Sequence, residues 1–406
     1  MINQLVSLGG ESKRIFKVIQ RQGPITKSEL VLITKIKLTS LNRMVQPLEE
    51  LGLVISSGIG ESSGGRKPTL YDVNTNAYYL IGIDISRTYT QVIVADLKMT
   101  IVAKERFEMT NEHTPIKTVK SIVDIINTLL RRKGIAKQKV LGIGVGTIGP
   151  INREKEIILN PRHFMANDWR HTPIKAMMEK ALDLPVIIDN GANTAVLAEA
   201  FYGKGRGNKN IAYVHCGIGI RTGVIASGVL VRTMNDVEDA FGHMVVDVDG
   251  EKCSCGNYGC IETYVSIAAI VKQFVKGVKK GRKTRVDKPL ENISYLDICI
   301  AAEQGDLLSR EMIINAGTIF GVGLVNYMNL LNPQLVVLSG PIILQSPLFF
   351  DICTQTAKEK HYMKNESQVV FSKGGIFKEE AIAVGAAAVV LKEVFEDKIK
   401  NDEVIL

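Results

Sequence analysis

Apolar runs of roughly four to eight residues alternate with amphipathic segments from Tyr79 onward, a pattern typical of α/β proteins. The first half of this region predicts strands over 80–85, 90–97 and 101–107, a helix over 115–132 that Thr114 caps, and a buried strand over 140–145. The same order returns as strands over 211–215, 223–225 and 229–232, helices around 264–277 and 311–331, and a buried strand over 335–339. The repeat predicts two similar α/β halves around a cleft.

The N-terminal residues 1–75 carry a different pattern. It predicts helices over 11–22, over 27–33 and from Thr39, followed by strands over 53–55 and 69–73 around a loop rich in Gly and Ser. Thr26 can cap the second helix, and Pro47 predicts a bend in the third. This is the layout of a winged helix-turn-helix, whose third helix enters the major groove of DNA.

Two sets of side chains would contact that DNA. The outward positions of the third helix are Thr39, Ser40, Asn42, Arg43 and Gln46. On the loop, Arg66 and Lys67 offer positive charge to phosphates or to the minor groove. The alternative is a protein-interaction module whose charges are solvated surface.

Basic residues are unevenly distributed along this chain of 406 residues and net charge +8. Residues 1–75 hold ten Lys or Arg against six Asp or Glu, and residues 272–288 hold eight against one. The first excess agrees with DNA binding. The second, Lys272 to Lys288, has helical spacing and then a loop, which is typical of a solvated helix end, so we assign it no DNA contact.

Cysteine usage and hydropathy indicate a cytoplasmic protein. Cys216, Cys299 and Cys353 stand in apolar surroundings without a pairing pattern, which predicts buried reduced thiols. No apolar run approaches the roughly 20 residues that span a bilayer, and the N-terminus lacks the order of a secretory signal. We therefore expect no membrane insertion.

One short polar segment, Gly242 to Glu262, contains four candidate metal ligands, namely His243, Cys253, Cys255 and Cys260. Zn²⁺ takes imidazole and thiolate ligands in a tetrahedron, and a structural site uses all four positions. Gly256 and Gly259 would let the loop turn tightly enough for the ligands to converge. The segment predicts a closed zinc site that stabilises structure and does not activate water.

These residues resemble the ROK family of repressors, open reading frames and kinases, along nearly the whole chain. The zinc segment is the most specific match, followed by Ser63-Gly64-Gly65-Arg66-Lys67-Pro68-Thr69-Leu70-Tyr71, which looks like the wing of the xylose-repressor-like regulators. The resemblance implies a winged helix-turn-helix followed by a two-lobed sugar kinase/actin-like body. It implies a DNA-binding domain over 1–75, a first lobe over 76–190, a second lobe over 191–380, and a C-terminal helix near 381–398 that returns to the first lobe.

Three departures from the family's kinases imply that phosphotransfer is lost. The kinases carry Asn-Asp-Ala-Asn with the Asp as general base, and this chain has Asn190-Gly191-Ala192-Asn193. A missing base typically costs about 10²–10⁴ in rate. The two phosphate loops carry Ser86-Arg87 and Arg221-Thr222 where the kinases have glycines, although these arginines could bind phosphate themselves.

The family's sugar pocket matches this chain at Asn190, His243 and Glu262, whereas Gly191 and Ala240 depart from it. Two lost anchors, each a hydrogen bond worth about 0.5–1.5 kcal/mol, imply weaker binding or a different ligand. Trp169 follows in a stretch where relatives contact sugar, and it either packs in the lobe or stacks on a ligand.

The resemblance implies a dimeric regulator that binds operator DNA and represses carbohydrate-utilisation genes, xylose genes among them. A sugar would favour one lobe arrangement and misalign the two DNA-binding domains through the linker around residues 74–79. Two alternatives are a sugar kinase with a fused DNA-binding domain, and a regulator with a decayed sugar site that answers to a sugar-transport protein.

Overall fold

The computed structural model of the chain describes residues 5–60, 67–232, 240–362 and 369–396. Its internal contacts form two compact units. Among the described residues, unit 1 comprises the chain through Tyr202 together with residues 382–396, and unit 2 comprises those of Gly203–Ala381. The division into three domains expected from the sequence is finer than this one and stays a prediction.

The N-terminal part of unit 1 contains three helices and a three-stranded sheet. The elements are α1 (Gly10–Gln22), β1 (Ile25–Thr26), α2 (Lys27–Thr34), α3 (Leu38–Glu50), β2 (Val54–Ile59) and β3 (Thr69–Val73), with strand order β1-β3-β2. Thr26 caps α2 in a reciprocal pair with Glu29, as the sequence predicts. Leu41, Val45 and Leu48 are fully buried, and α3 continues through Pro47 to Glu50. The winged helix-turn-helix layout is therefore present.

This N-terminal domain is joined to the rest of unit 1 through helix α1 and strand β3. The Phe16 ring of α1 stacks on Phe395 with 4.2 Å between centroids, and both side chains are 1% exposed. Gln20 Nε2 donates to the Leu97 carbonyl over 2.9 Å, and Lys98 Nζ lies 2.6 Å from Asp72 Oδ2. Apolar, polar and ionic contacts together fix the domain on the lobe.

The first lobe in unit 1 is a five-stranded sheet of order β10-β7-β4-β5-β6. Its elements are β4 (Tyr79–Ile85), β5 (Tyr89–Asp96), β6 (Ile101–Glu108), α4 (Pro115–Lys133), β7 (Val140–Thr147), β8 (Ile151–Asn152), β9 (Ile157–Ile158), α5 (Ile174–Leu182), β10 (Val186–Asn190) and α6 (Gly191–Tyr202). Strand β7 is buried throughout and β4 after its first residue, as expected for the parallel part of a sheet whose two faces are both covered.

The C-terminal helix α13 (Ala381–Phe395) covers one face of that sheet. A Cβ on Gly82 or Gly144 would lie 1.9 Å from a carbonyl oxygen of this helix, Ala383 or Ala386 respectively. Only glycine therefore permits so close a packing of helix on sheet.

Unit 2 repeats the sheet with order β13-β12-β11-β14-β15. Its elements are β11 (Ile211–Cys216), β12 (Ile220–Ala226), β13 (Val229–Val231), α7 (Glu262–Val265), α8 (Ile267–Lys279), α9 (Tyr295–Glu303), α10 (Leu307–Leu331), β14 (Leu335–Ser339), α11 (Pro341–Gln345), α12 (Pro347–Lys360) and β15 (Val370–Lys373). Both sheets have two antiparallel pairs followed by two parallel pairs, so the predicted repeat is confirmed.

Helix α10 is long and apolar enough to cross a membrane by length and composition, and half of its most apolar window is buried. It packs on α8, α9 and α12 and contributes Phe320 and Leu324 to the core of unit 2. These contacts are those of a core helix. Cys216, Cys299 and Cys353 are buried and free, as predicted.

Candidate functional site

The four predicted metal ligands converge within unit 2. Ligand atoms of His243, Cys253, Cys255 and Cys260 all lie within 4.8 Å of one another. His243 Nδ1 lies 3.6 Å from Cys253 Sγ, and Cys255 Sγ lies 3.8 Å from Cys260 Sγ. A zinc tetrahedron with Zn–S near 2.3 Å and Zn–N near 2.0–2.1 Å has S···N edges of about 3.6 Å and S···S edges of about 3.8 Å. The two distances fit that cage.

Backbone hydrogen bonds hold the loop in the shape that this cluster needs. The Cys253 amide donates to Asn257 O over 2.7 Å, and the Gly256 amide returns to Cys253 O over 3.0 Å. Gly256 and Gly259 have φ of 98° and 67°, a region that favours glycine. A Cβ on Gly259 would lie 1.5 Å from Asp247 O, so this glycine is required by close packing as well.

The thiols of the cluster do not ionise independently. Burial opposes ionisation, but hydrogen bonding from the Cys255 backbone lowers the pKa of Cys253 to about 6. Burial and the neighbouring thiols raise the pKa of Cys260 to about 12. Ionising all three thiols at these distances would therefore need a cation between them, which a metal ion would supply.

Asn190 ends strand β10 in unit 1 and is completely buried. Its Oδ1 accepts from the Ala192 amide over 2.8 Å, whereas Nδ2 is buried and has no hydrogen-bond partner among the described residues. A buried, unsatisfied amide donor is costly unless a ligand or water binds it. This group is therefore available to a polar ligand.

The adjacent Asp189 is held by other groups. Its Oδ1 accepts from Arg153 Nη2 over 2.6 Å, from the Asn190 amide over 2.7 Å and from Asn193 Nδ2 over 3.3 Å. One cationic donor and two amide donors thus occupy this carboxylate oxygen. The role of Arg153 could not be predicted from the sequence, because no local pattern marks a residue of the β8–β9 turn as the partner of Asp189 in β10.

Glu262 and His243 lie in unit 2, so Asn190 and these two residues belong to different units. Glu262 Oε2 accepts from the Ile220 amide over 3.2 Å, which fixes the carboxylate at the start of β12. With His243 Nδ1 facing the cysteines, Nε2 is the ring nitrogen that remains for a ligand. The Glu262 carboxylate is thus held at strand β12, two residues after Cys260 of the zinc loop.

Arg87 and Arg221, the two arginines at the family's phosphate-loop positions, differ in their secondary structure and contacts. Arg87 Nε donates to the Arg162 carbonyl over 2.9 Å, so part of its guanidinium serves packing of the first lobe. Arg221 is not in the predicted loop, because β12 already begins at Ile220. It is 3% exposed.

Trp169 has a packing role in unit 1. It is 3% exposed, stacks on Phe164 with 4.5 Å between centroids and donates Nε1–H to the His113 carbonyl over 3.0 Å. Of the two alternatives left by the sequence, these contacts favour packing.

The predicted DNA-contacting residues of α3 lie on its solvent side. Thr39, Asn42, Arg43 and Gln46 are exposed and Ser40 is half-buried. Gln46 Nε2 donates to Glu50 Oε1 over 2.8 Å. On the wing, Lys67 is exposed, whereas Arg66 lies outside the described residues.

Three of the eight basic residues in the second zone, 272–288, form ion pairs within unit 2. Lys272 lies 3.0 Å from Glu251, Lys288 lies 2.7 Å from Asp297, and Arg282 makes two hydrogen bonds to Glu311. These local ion pairs agree with a solvated surface, as the sequence indicates.

The chain is similar in sequence to curated transcriptional regulators and in fold to a solved one. The chain is 30% identical over 390 residues to the xylose repressor of Bacillus spizizenii, covering 96% of both chains. It is 26% identical to the regulator NagC of Escherichia coli over 82% of this chain and 80% of that protein. Among solved structures, it matches a ROK family transcriptional regulator homologous to the E. coli MLC protein with TM-score 0.78, 22% identity and 97% coverage of both chains.

Kinase structures match a smaller share of this chain. A ROK family glucokinase from Streptomyces griseus, solved with glucose and AMPPNP, has TM-score 0.64 and 26% identity over 77% of this chain and 98% of its own. The ROK family profile matches residues 80–393. Because the family profile matches most of the chain, and because the chain is 30% identical to the xylose repressor over 96% of both chains, the chain belongs to the ROK family.

Proposed function

We propose that the chain is a DNA-binding transcriptional repressor of sugar-utilisation genes, with a kinase-like body that serves as a sensor. The observation that carries the proposal is the match to the xylose repressor of Bacillus spizizenii over 96% of both chains, a coverage too long to leave out the N-terminal domain that carries the exposed α3 face. A glucokinase relative matches only 77% of this chain.

The body is proposed to bind sugar without phosphorylating it. Position 191 is glycine, and the neighbouring Asp189 is neutralised by Arg153. In unit 1 the proposed sugar contact is Asn190 with its unsatisfied Nδ2. In unit 2 the proposed sugar contacts are His243 and Glu262. Glycine at position 191 has no group that could accept the proton of the sugar hydroxyl, which is the role of the kinases' aspartate.

Zinc is the metal that best fits the His243, Cys253, Cys255 and Cys260 cluster, because one imidazole and three thiolates form a complete tetrahedral set. The ion would stabilise the loop. Because Glu262 follows the last cysteine by two positions, metal binding would also fix the sugar-contacting carboxylate.

Signal transfer is proposed to use the helices next to the two points where the chain passes between units. Helix α6 ends at Tyr202 and α13 begins at Ala381, and both contact α1 of the DNA-binding domain. Arg21 lies over the Phe201 ring at 4.6 Å, and Phe16 stacks on Phe395. The linker at 74–79 is held as well, since Lys139 Nζ donates to Asn76 O over 3.0 Å.

The active form is proposed to be a homodimer, because two α3 helices on half-sites about one helical turn apart give the affinity that one domain lacks. A fluorescence anisotropy titration tests the function. Labelled DNA from upstream of the gene and its neighbouring operon is titrated at physiological salt, with and without each sugar of a panel that includes xylose and N-acetylglucosamine.

Specific binding that one sugar releases would establish the repressor and its effector. Specific binding that no sugar changes would favour control by a sugar-transport protein over a sugar site. No specific binding would refute the proposal, and coupled phosphorylation above a protein-free blank would revive the kinase alternative.

A further inference from the structure

Arg221 is a buried guanidinium without a partner for two of its nitrogens. It is 3% exposed, and Nε and Nη1 are both inaccessible and make no hydrogen bond to the described residues. The nearby carboxylate of Glu262 binds the Ile220 amide instead. A buried charge normally has both a counter-charge and hydrogen-bond acceptors, so this environment lacks a component that an anion would supply.

The strand register places two polar side chains beside it. Arg221 pairs with His215 across β12 and β11, and His215 pairs with Ser339 across β11 and β14. Their chain neighbours Ile220, Val214, Cys216 and Leu338 all belong to the apolar core of unit 2. Because side chains alternate along a strand, Arg221, His215 and Ser339 share the opposite face of the sheet.

This row lies where ligands bind in open α/β sheets. His215 and Ser339 stand at the carboxyl ends of the parallel strands β11 and β14, which is the edge used for ligands in such sheets. Gly340 has φ of 91°, and a Cβ there would lie 2.4 Å from Cys216 O. Glycine thereby keeps the ends of the two strands in close contact beneath the row.

The geometry points to an anion-binding site on unit 2 in which Arg221, His215 and Ser339 take a phosphoryl group. A guanidinium binds two oxygens of such a group at once, and a hydroxyl and an imidazole N–H add neutral or cationic donors. The site differs from a glycine-rich phosphate loop, because the donors are side chains on strands and not backbone amides. The proposed anion site does not depend on whether the bound anion is also the effector that releases the protein from DNA.

Thermal unfolding with inorganic phosphate as the probe tests the site. Melting temperatures of the full-length protein are measured in phosphate and in chloride at equal ionic strength, for the wild type, Arg221→Gln and Arg221→Lys. Lys283→Gln is the matched control, since it removes one positive charge from an exposed position in the same unit. Calorimetric titration of the wild type with phosphate gives a second readout that needs no variant.

Phosphate should raise the melting temperature of the wild type and of Lys283→Gln, since a ligand that binds only the folded state stabilises it. The binding constant should fall at least tenfold in Arg221→Gln and less in Arg221→Lys. Absence of a saturable signal from the wild type in both assays, or an equal shift in Arg221→Gln, would overturn the inference.

Two further probes identify the source of the phosphoryl group once phosphate binds. Glucose 6-phosphate is compared with glucose, and AMPPNP with adenosine. A tenfold gain of glucose 6-phosphate over phosphate indicates a phosphorylated sugar, and the same gain for AMPPNP indicates a nucleotide. Loss of either gain in Arg221→Gln supports the assignment to this guanidinium, and retention of the full gain contradicts it.

Discussion

Removing the aromatic stack between Phe16 and Phe395 should uncouple the DNA-binding domain from the body. Both rings are 1% exposed, and their centroids are 4.2 Å apart. Truncation of a buried Phe to Ala typically costs about 3–5 kcal/mol, and an aromatic pair contributes about 0.5–1.5 kcal/mol beyond its buried area. The Gln20–Leu97 and Lys98–Asp72 contacts remain, so the domain should stay attached but turn more freely.

The assay is a double-mutant cycle on Phe16→Ala and Phe395→Ala. Denaturant unfolding should give an interaction free energy of about 0.5–1.5 kcal/mol between the two sites. Operator binding is then measured by anisotropy with and without the sugar that releases the wild type. Effector coupling is typically about 1–3 kcal/mol, and it should fall towards zero in both single variants and in the double variant.

A control variant must lose a similar free energy of unfolding without disturbing the contact between Phe16 and Phe395. Phe274→Ala serves, because Phe274 is fully buried in the core of unit 2 and belongs to helix α8. This variant should keep its effector response. If Phe16→Ala and Phe395→Ala retain the full response, or if Phe274→Ala loses it equally, the proposed route of the signal is wrong.

Other perturbations test the remaining assignments. Chelation or Cys255→Ser should lower the melting temperature by several degrees, because structural zinc contributes to folding directly, and elemental analysis should fall from one Zn per chain to well below one. Arg43→Ala should weaken operator binding by about 1–3 kcal/mol, whereas the control Lys280→Ala should leave the affinity unchanged, as anisotropy would show. Gly82→Ala should destabilise the protein strongly, since its Cβ would lie 1.9 Å from a carbonyl oxygen of α13, and urea denaturation would measure the loss. Restoring the family's base with Gly191→Asp should give no phosphotransfer in a coupled assay, because the side chains of both phosphate loops remain.

The sequence predicts features whose determinants are local. The zinc ligands fall within 18 residues of one another (243 to 260), so spacing alone brings them together, and the exposed face of α3 follows from helical periodicity. Contacts between distant segments could not be predicted in this way. The Arg153–Asp189 ion pair and the Phe16–Phe395 stack depend on how sheets and helices pack, which no local pattern encodes.

Arg221 shows a different limit of the sequence. The glycines around it predict a loop, in which the Arg221 side chain either obstructs a nucleotide or binds phosphate itself. The structure begins β12 at Ile220, three residues before the predicted start, so strand alternation and not loop geometry decides which way the side chain faces. A shift of a few residues in one element boundary thus changes the chemistry of a side chain.

The contacts between α1 and the ends of α6 and α13 limit how the DNA-binding domain of this protein can be exchanged in chimeras. Phe16 and Arg21 come from the first helix, Phe201 from the middle of the chain and Phe395 from its C-terminal helix. A chimera that exchanges only residues 1–75 with a relative would keep two of the four partners and replace the others. New operator specificities should therefore be transplanted by grafting the exposed face of α3 alone, or by exchanging α1 together with its partners on α6 and α13.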